Sequence, residues 1–232
     1  MADKEKQLPI FRHLIEKGCL KQKVYRNTFQ TLRLFKEIFR ELTEEYNSMD
    51  KSCEDDIAFE YKEKSEFEIE LKFAGDVLIF LMHTNVFEFP RDHFIQQNSY
   101  IKEDPDRSFS GMISIYNFLS DSLKYRRVND IGYLIGRIFI NKDNHFYIDG
   151  KKELRLFPNN FADMKMDEEK AREIIRSSIR YTIDFDLLTP PYNKVKEASV
   201  GEIIFARDTM SLKTGKRLGF KFQGDAEGRG EE

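Results

Sequence analysis

The stretch Asp130–Phe157, DIGYLIGRIFINKDNHFYIDGKKELRLF, decides the fold class. It contains the densest apolar run in the chain, from Tyr133 to Ile140. Its two alternating sides, Leu134, Gly136, Ile138, Ile140 and Tyr133, Ile135, Phe139, are both largely apolar. Arg137 is the only charge. A strand of this kind needs cover on both faces, which predicts a place at the centre of a sheet. Burial there would require a partner for Arg137, an acidic neighbour before an anion. Turn chemistry follows. Asn141-Lys142-Asp143-Asn144 is a polar turn, His145 to Ile148 a returning strand, and Asp149-Gly150 a dipeptide that favours a tight hairpin.

Working outward toward the N-terminus, the period is two. Phe67, Ile69, Leu71 and Phe73 alternate with Glu66, Glu68, Glu70 and Lys72, and Phe59 and Tyr61 with Glu60 and Lys62. This is the pattern of antiparallel strands with one buried face. Ala74-Gly75-Asp76 predicts a turn, Val77 to Met82 an apolar strand, and Val86 to Phe89 a further strand stopped by Pro90. The whole reads as three or four strands in meander order. Arg91 to Arg107 is polar and irregular, a candidate binding loop. Ser110 to Leu119 reads as another strand, with a helix over Ile113 to Leu123 as the alternative, and Lys124 to Arg127 as a basic loop.

Two segments carry helical periodicity. From Leu20 to Tyr46, apolar positions step by threes and fours through Leu32, Phe35, Phe39 and Leu42. These ~27 residues make a rod of roughly 40 Å, longer than cover of one small sheet requires. Residues 8–18 predict a separate short helix, broken at Gly18. Asp167 to Asp184 opens on three acidic residues, which suit the positive end of a helix dipole. It then presents Ala171, Ile174, Ile175 and Ser178 on one face. Residues 200–222 read as further strands, and 224–232 (GDAEGRGEE) as a disordered tail.

These elements give an α+β fold. An antiparallel sheet of six to eight strands, built from 57–157 and completed by 200–222, is covered by the long N-terminal helix and the 167–184 helix. The expected organisation is a helical segment over 1–50, a core over 51–223 and the tail. With 40% hydrophobic residues in 232, the chain can bury a substantial core. A net charge of −3 argues against a nucleic-acid coat or a membrane-surface protein. Cys19 and Cys53 make no disulfide framework, and no leader or membrane span is evident. A cytoplasmic location is the expectation.

Motifs for chemistry are sparse. HExxH, GxSxG and CxxC are missing. Met210 and Arg217 spoil a P-loop at Gly215-Lys216, and Phe146 stands where an EF-hand loop needs glycine. Glu70 and Lys72 share a strand face, as the metal-binding residues of some nucleases do, with Asp55 and Asp56 upstream. They equally form the wet side of an amphipathic strand. Asp106-Arg107-Ser108-Phe109-Ser110-Gly111 resembles the (D/N)xSxxG element of PilZ domains, which implies cyclic-dinucleotide binding. The RxxxR half of that signature is missing, since Arg91 is followed by Ile95, and a turn before a strand explains the segment. The four histidines have no ligand spacing. Basic clusters at Arg172, Arg176, Arg180, at Lys124, Arg126, Arg127 and at Lys213, Lys216, Arg217, Lys221 offer grips for phosphate if they converge.

The functional expectation is a non-catalytic interaction or ligand-binding protein that forms a homodimer through its over-long helix and needs no metal or cofactor. The alternative is binding of nucleic acid, a nucleotide or another anionic ligand by the basic clusters. A metal-dependent nuclease ranks third. The ligand-binding candidates are Arg137, His145 and Tyr147 on the hairpin, with Arg126 and Arg127 in the basic loop.

Overall fold

The computed structural model describes residues 2–50, 57–150, 161–185, 189, 191–201 and 203–204, with side chains from residue 8 onward. Six strands run in sequence order across one antiparallel sheet: β1 (Phe59–Ser65), β2 (Glu68–Phe73), β3 (Asp76–Glu88), β4 (Phe109–Leu119), β5 (Tyr133–Asn141) and β6 (Phe146–Gly150). Helix α1 (Ala2–Ser48) and helix α4 (Glu168–Ile183) lie on one face. Short helices α2 (Ser99–Glu103), α3 (Ser120–Lys124) and α5 (Tyr192–Val195) and the 3-10 turns Phe94–Gln97 and Pro105–Ser108 lie among the connections and after α4. No described helix is long and apolar enough to cross a membrane. The fold is α+β, as the periodicities predict.

The strand alternation sets what each face does. Ile69, Leu71, Leu78, Phe80, Ile113 and Ile115 point toward the helices and are fully buried. They meet Leu32, Phe35, Ile38 and Phe39 of α1 and Ile174 and Ile175 of α4. Phe80 makes edge contacts with Phe35 and Phe39, at centroid separations of 5.5 and 5.0 Å, the geometry aromatic quadrupoles favour. Asp167 caps α4 by accepting from the backbone N–H of Lys170 at 2.8 Å.

Helix α1 is a single rod of 47 residues, about 70 Å long. Gly18 does not break it. Nothing lies within 4 Å of where its Cβ would stand, and glycine alone costs a helix only about 1 kcal/mol, which the flanking turns absorb. The rod docks where β4 lacks side chains. Thr28 is fully buried over Gly111, and its hydroxyl donates back to Val24 O at 2.9 Å. The residue before it, Asn27, donates from Nδ2 to Asn141 O and Lys142 O, both at 2.9 Å, tying the helix to the β5–β6 turn.

Four expectations require correction. Strand β5 is not the centre of the sheet but the fifth of six strands. Gly136 opposes Ile115 and Leu134 opposes Tyr116, so Ile135 is an extra, bulged residue. The bulge turns Ile135 toward the helices beside Ile138 and Ile140. Ile135, Ile138 and Ile140 thus face the helices while Phe139 is buried on the opposite face, and Arg137, on that opposite side, is 41% exposed rather than buried under helices. Gly150 does not turn the chain with Asp149. It continues β6 opposite Gly136, where a Cβ would lie 2.7 Å from Ile135 O. Residues 86–89 form no separate strand, because β3 runs through Thr84 and Asn85 with a register shift. Finally, the sheet gains no described strand from 200–222. Val200, Gly201, Ile203 and Ile204 are helical. The remainder of that segment, residues 151–157 and the 224–232 tail lie outside the described residues, as do Cys53, Asp55 and Asp56.

Candidate functional site

The face of the sheet away from α1 and α4 has two regions. Over β1 and β2 it is charged. Glu70 meets Lys64 at 3.1 Å, and Glu60 meets Lys62 at 2.8 Å and Lys72 at 3.2 Å. The hydrogen bond from Lys62, then that from Lys72, holds the Glu60 carboxyl below the usual carboxylate range. Glu70 and Lys72 are thus each occupied by an ion pair across neighbouring strands. Among the described residues no group of three or more His, Cys, Asp or Glu is placed to hold a metal ion.

Over β4, β5 and β6 the same face is aromatic. Phe139 and Tyr147 oppose each other across the β5–β6 ladder and stack. The chain leaving β3 folds over them. Phe89 lies 4.9 Å from Phe139, His93 stacks on Phe89 at 4.9 Å, and Ile95 and Ile101 bury beneath the following turns. What holds this cover down is a polar clamp on the β5–β6 turn. Asp143 accepts from Arg107 Nε at 3.1 Å and from the Tyr100 hydroxyl at 3.2 Å. Asn141 Nδ2 donates to the Tyr100 hydroxyl at 3.1 Å. Lys142 pairs with Asp104 at 2.6 Å, and its ammonium lowers the Asp104 carboxyl pKa. Burial raises the Tyr100 phenol.

Between this cover and the strands lies a cleft of about 350 Å³. Its walls are Phe87, Phe89, Phe139, Tyr147 and Met112, with His93 and Pro90 from the cover. Arg137 and Asp149, opposite each other on β5 and β6, form an ion pair in which Arg137 Nε and Nη2 both donate to Asp149 Oδ2. The two side chains are 41% and 42% exposed. Ser110 also lines the cleft. It is fully buried, and its hydroxyl has no hydrogen-bond partner among the described residues. The volume is at the lower end of the range for small-molecule sites, and the mixture of apolar walls with a few polar groups is typical of them.

Of the five residues singled out from the sequence, Arg137 and Tyr147 line this cleft together. His145 does not. Its ring stacks on Tyr100 at 4.8 Å, and its Nδ1 lies 3.0 Å from Phe161 O. Arg126 sits outside the cleft in a left-handed turn, with φ of 51°. Arg127 turns inward, its side chain 8% exposed, toward Asp121 at 3.9 Å and Asp130 at 3.6 Å. On α4, Arg172 pairs with Glu41 and Glu168. Arg176 and Arg180 instead edge an apolar groove with Leu42, Tyr46 and Phe59. Lys213, Lys216, Arg217 and Lys221 lie outside the described residues. The Asp106–Gly111 element has structural work: Ser108 Oγ donates to Pro105 O at 2.7 Å, and Gly111 admits Thr28.

The cleft residues that sequence reasoning missed include Phe87, Phe89, Ser110, Met112, Phe139 and Asp149. The available signal was the Phe87-Glu88-Phe89-Pro90 run, an aromatic alternation ending at a proline beside the loop already marked for binding. No family model matches this chain, and no curated protein or solved structure matches it.

Proposed function

We propose that the protein binds a small amphipathic molecule in the cleft between the 87–93 segment and strands β4 to β6. One observation carries the reading: an aromatic concavity whose buried Ser110 hydroxyl has no partner among the described residues. Natural proteins rarely leave a buried polar group unpaired without a reason, and an absent ligand is one. Support also comes from the 99–108 clamp, which spends several hydrogen bonds on holding the cover in place. The experiment is methyl NMR of protein labelled at its 7 methionines, titrated with a set of soluble aromatic fragments. The Met112 methyl, in the cleft wall, shifts, while that of Met82, buried on the helix side, stays still. Silence at Met112 up to millimolar fragment would end the proposal.

A second reading concerns self-association, and a separate observation favours it. Leu8, Phe11 and Ile15, spaced three and four apart on α1, are 64%, 53% and 63% exposed. Ile10 and Leu14 beside them are exposed as well. Such a row suits helix pairing with a second copy of the chain. Light scattering would give the mass of a dimer, and a monomer at high protein concentration would dismiss it.

A further inference from the structure

Resting on the ligand-binding reading above, we infer that the cleft takes an aromatic zwitterion, the chemistry of a free aromatic α-amino acid with a polar ring substituent. Three independent features converge on it. The first is wall chemistry. Phe89, Phe139, Tyr147 and Met112 present ring faces and a polarizable thioether, which favour a flat aromatic guest over a branched aliphatic one.

The second is the rim. Arg137 spends Nε and Nη2 on a single oxygen of Asp149, so Arg137 Nη1 and Asp149 Oδ1 have no partner among the described residues. The rim therefore offers one unused donor on a cation beside one unused acceptor on an anion. A lone anion or lone cation would face the opposing member of the pair and lose what it gained. A guest that carries a carboxylate and an ammonium on one carbon meets both, carboxylate to Arg137 and ammonium to Asp149.

The third is Ser110. Its hydroxyl is fully buried, on the cleft side of β4 between Phe87 and Asn141, and has no partner among the described residues. A serine hydroxyl both donates and accepts. A ring substituent such as a phenol satisfies it, whereas a bare phenyl ring leaves it as it is. A site built to hydrogen-bond a guest hydroxyl discriminates against the analogue that lacks it.

The experiment uses the full chain and three compounds: L-tyrosine, L-phenylalanine and the uncharged N-acetyl-L-tyrosinamide. Affinities come from titration of the Met112 methyl signal. L-Tyrosine binds about tenfold more tightly than either comparison compound, since one hydrogen bond or one charge-assisted contact is worth about that factor. Ser110→Ala brings L-tyrosine down to the level of L-phenylalanine and leaves L-phenylalanine unchanged. Equal binding of the uncharged amide, which also mimics a tyrosine within a peptide, overturns the zwitterion assignment. An unchanged tyrosine-to-phenylalanine ratio in Ser110→Ala overturns the role of Ser110. Fragments that shift Met112 without favouring L-tyrosine leave the ligand-binding reading standing and this inference refuted. No shift with these three compounds refutes this inference, and silence with the aromatic fragment set as well removes both. Ser110→Ala does not depend on a loss of folding for its effect, because it deletes an unsatisfied group and its melting temperature should rise.

Discussion

Gly111→Ala is the sharpest test of how α1 is seated. A Cβ at Gly111 would stand 2.0 Å from Thr28 Oγ1, 2.8 Å from Thr28 Cβ and 3.0 Å from Thr28 Cγ2. The first distance is more than 1 Å inside ordinary contact, and the atom struck is on a short, β-branched side chain with little rotamer freedom. Thr28 is fully buried and its hydroxyl is held by Val24 O, so it has nowhere to swing. Relief requires α1 to rise from the sheet and loosen the packing of Phe35 and Phe39 on Phe80. Overpacking of this kind costs about 1–3 kcal/mol, and the closeness of the clash places this case near 3. In a chain of this length that lowers Tm by roughly 6–12 °C. Urea denaturation followed by circular dichroism measures it, with the slope m unchanged. Thr28→Ala removes two of the three clashing atoms and leaves Cβ against Cβ at 2.8 Å. The double variant Thr28→Ala, Gly111→Ala should therefore recover part of the loss, with a coupling of at least about 1 kcal/mol. A Gly111→Ala protein within about 0.5 kcal/mol of the parent, or a double variant whose losses simply add, would refute this account of helix docking.

Three further outcomes follow from the same contacts. Ser110→Ala in the absence of ligand should raise stability by about 1 kcal/mol, because an unsatisfied buried hydroxyl is replaced by a methyl; differential scanning calorimetry reads this, and a lower Tm contradicts it. The hydrogen bond from Lys36 holds the Glu63 carboxyl down at about 2. A depressed folded-state value stabilises the fold above the unfolded value of about 4.3, and that stability disappears as pH falls toward 2. Glu63→Gln should thus lose stability at pH 7 and match the parent near pH 2. With 36% of the Glu63 side chain exposed, solvent screening limits the difference to about 0.5–1 kcal/mol; an equal gap at both pH values in denaturation curves would argue against the ion pair. Phe11→Glu with Ile15→Glu should leave the circular dichroism spectrum of the core intact while reducing the mass seen by light scattering, and an unchanged mass would count against pairing through that row.

Much of the fold was legible because local periodicity and tertiary burial agree. Phe67 to Phe73 alternates in sequence and in the sheet, and Asp167 caps the helix its acidic first turn announces. Errors arose where a local rule met a tertiary compensation. Gly18 reads as a breaker, but a helix continuous on both sides carries it through. Asp149-Gly150 reads as a turn, but the glycine serves a close backbone approach at the β5 bulge. That same bulge hid the change of side at Ile135, which joins Ile138 and Ile140 under the helices while Phe139 is buried on the other face. The candidate site was only half legible. Arg137 and Tyr147 stood out on the hairpin, yet the cleft needs β3, β4, β5, β6 and the 87–93 cover together. Ser110 gives no sign in the sequence, since a serine at a strand start is ordinary until its burial and lack of a partner are known.

The order of the elements has a consequence for synthesis. Every strand pairs with its neighbour in sequence, so the sheet can assemble piecewise as the chain emerges. Helix α1 is the exception: it is made first, yet its seat on β4 and β5 lies about a hundred residues later. At about 5–20 residues per second, translation takes roughly 5–20 s to deliver that seat. During the wait Phe35 and Phe39 can already meet Phe80 of β3, whereas Asn27 and Thr28 still lack their seat on β4 and the β5–β6 turn. Slower translation between residues 88 and 140 should therefore prolong a state in which the helix is seated on β3 but not yet on β4 and β5.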